Sequence, residues 1–162
     1  MRLTIWPCAS GPWYSEEGIP TDWTLGDGDS FRAPRSCQEG WQTQAMRYTR
    51  IYNGDDGTSR LEHGEILFAS EVFAPPAPPM GVSPTSPAQA VMFIRLPTGW
   101  TDAAHPAPAR QWMFILSGRG QVSASGKTMH WGAGDALLVE DTAPPGHATT
   151  VHDEAVVAVV RL

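Results

Sequence analysis

From Met46 onward the chain divides its apolar residues into short runs and closes most of them with glycine. The runs "AQAVMFIRL", "QWMFILS", "QVSAS", "KTMHW", "ALLVE", "HATTV" and "AVVAVVRL" succeed one another, with "SGRG", Gly126 and "GAGD" between several of them. Strands of about five to eight residues separated by Gly-centred turns predict a β-sandwich or barrel, because no run is long enough to carry a helix of several turns. Upstream, "MRYTRIY" alternates as a strand, and "NGDDGTS" turns through Gly54 and Gly57, whose missing Cβ permits positive φ. "EILFASEVF" follows as a second strand, although "RLEHGEILFA" could hold one short helical turn. Between Ala74 and Pro87 stand six prolines, which cannot donate the hydrogen bonds of a central strand. That segment is expected to be an extended surface connection, too short to separate two domains.

Composition narrows the function classes. Sixteen Gly and 15 Pro in 162 residues favour turns over helices, and one core is expected at this length. A net charge of -6 with only 11 Lys and Arg opposes a nucleic-acid partner, since phosphate neutralisation needs clustered cations. The absence of a long apolar stretch or a signal-type N-terminus predicts a protein that is not membrane-bound and not exported. Cys8 and Cys37 lie far apart without a CxxC, which suits a reducing cytoplasm.

Residues 1–45 differ from the rest. They show no sustained period of 2 or 3.6 and are dense in turn residues, yet they contain Trp6, Trp13, Trp23 and Trp41, four of the seven tryptophans. Exposed indoles usually find a cover. Either this irregular extension wraps onto the domain or a partner, or it is upstream sequence admitted by a mistaken start, with Met46 the true beginning. The domain expected to fold is 46–162.

Two motifs then carry a family likeness. Gly99, His105, Ala107, Gln111 and Gly118 align without gaps on the pattern G-x5-H-x-H-x3-E-x6-G, with two of its ligand positions changed. Gly134 and Asp135 precede "ALLVE" and lead to His147, two residues later than G-x5-P-x-G-x2-H would place it. On these residues the chain resembles the cupin family of small jelly-roll β-barrels. "HPAPARQ" and "LLVEDTAPPGH", with "RIYNGDDGTS" and "FAPPAPP", are similar to a narrower, mostly uncharacterised group of small bacterial cupins. The likeness covers Met46 to Leu162. It implies an all-β cupin-type jelly-roll barrel preceded by an irregular N-terminal extension.

The resemblance also implies a pocket. Cupin ligands project inward from adjacent strands, and the side-chain period of 2 then sends Gln111, Met113 and Ile115 inward with Leu137 or Leu138, and His147, Thr149 and Val151 with them. Trp112, Phe114 and Leu116 face outward, where they predict a homodimer contact. His105, Gln111 and His147 are the implied catalytic residues and metal ligands, for iron, manganese, nickel or zinc. A site without metal is the alternative, in which Gln111 bridges the two histidines by hydrogen bonds. Glu140 is a candidate general base or a support for His147. Asp141 is a candidate for the same roles, with a turn cap as its alternative. Met113, Arg110, Thr149 and His63 are candidate substrate contacts, Arg110 with a rim position as its alternative and His63 through strands that cover a cupin mouth. His130 and His152 read as solvated.

Two functions remain open at this stage. One is an enzyme acting on a small organic molecule in the barrel, with or without a divalent metal. The other is a non-catalytic ligand-binding or interaction cupin.

Overall fold

A computed structural model describes residues 45–162, so the predicted extension at 1–45 lies, apart from Ala45, outside the described residues. Nine strands and no helix occur among those residues. They are β1 (Ala45–Asn53), β2 (Ser59–Leu67), β3 (Ala69–Glu71), β4 (Met80–Val82), β5 (Ala90–Leu96), β6 (Gln111–Ala124), β7 (Lys127–Gly132), β8 (Ala136–Val139) and β9 (Ala148–Arg161). Consequently no helix among them is long and apolar enough to cross a membrane.

Seven strands form one sheet in the order β2-β1-β8-β6-β9-β5, with β7 beside the second half of β6; β3 and β4 pair separately. Most neighbours run antiparallel, but β1 lies parallel to β8 through Thr49 to Ile51. The sheet curls around one core, to which Ile51, Leu61, Ile115, Val122, Trp131, Val139, Val151 and Val157 each contribute a buried side chain. Each such side chain stabilises the fold by about 1.5–3 kcal/mol relative to exposure. Side chains help close the barrel: Ser125 Oγ donates to Ser59 O at 2.7 Å, and Lys127 Nζ donates to Leu61 O at 2.8 Å. These bonds tie β2 to the β6–β7 hairpin. The result is an all-β jelly-roll barrel.

Four local expectations are corrected. "RLEH" is extended, inside β2, where it pairs with β1 from Asn53↔Ser59 to Ala45↔Leu67. The proline segment is not wholly an extended connection, because Met80–Val82, free of proline, keep their amides and pair with Ala69–Glu71. "SGRG" is not a reverse turn: β6 runs 14 residues through it, with register shifts against β9 at Ile115/Ser117, Ser117/Arg119 and Arg119/Gly120. Gly118 at φ 83° bends the strand without ending it, and a Cβ there would collide with Glu154 O and Ala155. "HATTV" and "AVVAVVRL" are likewise one 14-residue strand, whose polar "HDE" is exposed opposite that bend.

Alternation along β6 is as the period-2 reading has it. Ile115 is buried and Leu116 exposed. Outside the barrel, Trp112 meets Tyr48 edge-on at 4.9 Å and stacks on Phe114 at 5.9 Å.

Candidate functional site

The segment after β5 explains where His105 points. Gly99 N donates to Val151 O at 2.9 Å, Asp102 N to Thr149 O at 3.2 Å, and His105 N to His147 O at 3.0 Å. Residues 99–105 are thus zipped antiparallel to the start of β9. His147 N returns a bond to His105 O at 3.1 Å, so the two histidines are a directly opposed, hydrogen-bonded pair. Their ring centroids stand 5.3 Å apart. Gly146 makes this approach possible: it holds φ 82°, and a Cβ there would strike the His105 carbonyl and Pro106 N. Pro106 lacks an amide, and the chain is next anchored by Ala107 N, which donates to Asp141 O at 3.0 Å.

Both rings line a cavity of about 160 Å³. Its walls are largely apolar, with Trp100, Trp131, Met113, Ile115, Val122 and Leu137 among them. Its polar groups are Asp102, His105, Gln111, His147 and Thr149, and the lining contains no Lys or Arg.

Each imidazole has a carboxylate beside it. Asp141 is fully buried, and His147 Nδ1 lies 3.0 and 2.9 Å from its two oxygens. A carboxylate can only accept, so Nδ1 carries the proton and Nε2 is the free ring nitrogen. His105 Nδ1 lies 3.3 Å from Ala103 O and 3.2 Å from Asp102 Oδ2. Asp102 Oδ1 accepts the Thr149 amide at 2.6 Å, whereas Oδ2 is buried without a hydrogen bond, its approach to His105 being close but poorly directed.

The sequence candidates therefore separate into two groups. His105, Gln111, Met113, His147 and Thr149 share the cavity. Glu140 does not: its carboxylate receives Arg50 Nε at 2.5 Å and Arg110 Nε at 2.6 Å, outside the cavity lining. Burial raises its pKa, but the bonds from Arg50 and Arg110 outweigh this and hold it below the ordinary glutamate value. The partner of His147 is Asp141, so Asp141 does more than cap a turn. Arg110 points to Glu140 at the rim. His63 is exposed on β2 in a separate cleft with Arg47, His130 and Asp135, and does not cover the mouth. Gln111 lines the cavity, but the histidine rings bond to Ala103 O and Asp141 and are not bridged by it. Sequence reasoning missed Asp102, Trp100 and Trp131. The only local signal for Asp102 is its position three residues before His105.

No family model matches the chain, and no curated protein is similar to it. Among solved structures, a conserved protein of unknown function from Streptococcus pyogenes is 18% identical, with a TM-score of 0.40 over 48% of this chain and 67% of that one. A cupin protein from Bacteroides fragilis is 23% identical, with a TM-score of 0.35 over 44% of this chain and 63% of that one. The Cnp3 cupin domain of Schizosaccharomyces pombe is 14% identical, with a TM-score of 0.35 over 71% and 85%. These likenesses are loose and bring no chemistry with them. The curled sheet, with His105 and His147 paired across one end, stands on the chain's own hydrogen bonds.

The motif resemblance implies a divalent metal, and the residues here fit one poorly. Among the described residues no three His, Cys, Asp or Glu side chains are gathered to bind a metal. Ala107 is buried where the motif has a second histidine, and Gln111 supplies a neutral amide where the motif has a carboxylate. The motif positions thus offer two imidazoles and one neutral amide, while Asp102, the carboxylate of the lining, is engaged by the Thr149 amide.

Proposed function

We propose that this cupin binds a small organic molecule in the barrel cavity and acts on it by proton transfer, with His147 as base and His105 as its partner. The observation that carries this reading is the Asp141–His147 pair: a fully buried carboxylate that fixes the ring with Nε2 free. Such a pair fixes the orientation and tautomer of an imidazole without metal. The second reading, a non-catalytic binding barrel, is supported by Ala107 in place of a ligand.

Ligand-observed NMR of a small-molecule library in D2O, with full-length protein, tests both. Deuterium incorporation into a binder, abolished in His147→Ala, supports the enzyme. Binders without exchange support the non-catalytic barrel, and the absence of any binder refutes both.

The same reading includes a homodimer and a cytoplasmic location. Self-association is supported by an apolar outer surface that carries Val91, Phe93 and Leu116, with Phe93 70% exposed. Light scattering that returns a monomer at micromolar concentration refutes the dimer. The spacing of Cys8 and Cys37 supports a reducing compartment.

A further inference from the structure

We infer that the barrel cavity selects an organic cation, of the amidinium or ammonium class, over an organic anion, through the field of the carboxylates Asp102 and Asp141. The inference rests on the cavity being a ligand site and adds the charge of what it takes.

The walls speak for an organic body. Trp100, Met113, Ile115 and Leu137 are among the lining residues, and such apolar surface gains from covering hydrocarbon, not from a bare hydrated ion.

Charge decides the rest. Asp102 belongs to the lining, and Asp141 lies directly behind His147, 2.9 Å from its Nδ1. The ionisable groups of the site are therefore two carboxylates and two imidazoles. An imidazole carries at most one positive charge, so their sum is negative or zero in every protonation state of the histidines. The lining holds no Lys or Arg to reverse that sign. The rim arginines are paired: Arg110 Nε donates to Glu140 at 2.6 Å, and Arg50 donates to Glu140 at 2.5 Å and to Glu62 at 2.8 Å. Gln111 and Thr149 are neutral and can bond a ligand of either sign. An anion in the cavity would thus face two carboxylates without a fixed cation, whereas a cation is attracted by both. Neither carboxylate has to be touched. Asp141 is fully buried and the Asp102 side chain is largely so, and charges withdrawn from solvent act over several ångströms with little screening.

The test is isothermal titration of the full-length protein, at neutral pH and low salt, with benzamidinium, benzamide and benzoate, which share one shape and differ in charge. Benzamidinium is expected to bind at least about tenfold more tightly than benzoate, with benzamide between them. In Asp102→Asn the amide oxygen can still accept the Thr149 N–H while one charge is gone. The preference for benzamidinium over benzoate should then fall by about threefold or more, with benzamide affinity held within about twofold. If benzoate binds the parent as tightly as benzamidinium, charge selection is wrong and the cavity remains a ligand site. If the preference survives undiminished in Asp102→Asn, it comes from the overall charge of -6 and the inference falls. If none of the three binds, both the inference and the ligand site fail.

Discussion

Removing the imidazole of His147 should do more harm than removing its partner's charge along with it. Asp141 is fully buried, and its side chain's hydrogen bonds go to His147 Nδ1. His147→Ala leaves that carboxylate in the core without a donor, a change that costs about 3–5 kcal/mol when one member of a buried pair is deleted. Against a domain stability of about 5–15 kcal/mol this is a large fraction. With a urea slope of about 2 kcal/mol/M, the midpoint should fall by roughly 2 M. In the double variant His147→Ala/Asp141→Asn the stranded charge is gone, and the two changes should couple by about 1–3 kcal/mol. The assay is urea unfolding of the parent, both single variants and the double at neutral pH, with the slope checked for constancy. A double variant less stable than His147→Ala alone would show that Asp141 is not sustained by the histidine, and the buried-pair argument would be wrong.

Two further outcomes follow from other parts of the barrel. Gly118→Ala must hold φ 83° and drive a Cβ into Glu154 O and Ala155, so it should cost at least about 2 kcal/mol, whereas Gly57→Ala, at φ 77° in open space, should cost only about 1–2; equal thermal midpoints for the two would refute the role of the bend. Glu140 is held below the ordinary glutamate value, so its contribution is present above that value and lost as pH falls through its folded pKa. Glu140→Gln should therefore lower stability at neutral pH and flatten its decline below about pH 4.3, and parallel stability curves for the two proteins would contradict this.

The fold was more legible than the site because strands report themselves locally. Met113 and Ile115 against Trp112 and Phe114 separate by alternation alone, since neighbouring side chains must take opposite faces. Gly118 misleads because a glycine in a bulge and one in a reverse turn share the same need for positive φ. Asp102 escapes for another reason. It lies only three residues before His105, but in a segment outside the named strands, where alternation does not say which way a side chain turns. Glu140 shows the converse: its nearness in sequence to Asp141 gives it the appearance of a site residue, but strand alternation turns it to Arg50 and Arg110.

His105 and His147 face each other across the same pair of backbone hydrogen bonds, yet they should respond differently to truncation. The His147 side chain is 9% exposed and that of His105 is 49% exposed. In His105→Ala the backbone bonds to His147 persist, because they use only the N–H and C=O of residue 105. Asp102 keeps the Thr149 amide on Oδ1. The unfolding free energy of His105→Ala in urea should accordingly stay within about 0.5 kcal/mol of the parent, as for an exposed side chain without core packing. Affinity for a molecule bound in the cavity should fall about fivefold or more, since one polar group of the lining is lost. If His105→Ala instead destabilises the protein as much as His147→Ala does, the imidazole at 105 is part of the barrel's structure, and the mouth has one functional histidine rather than two.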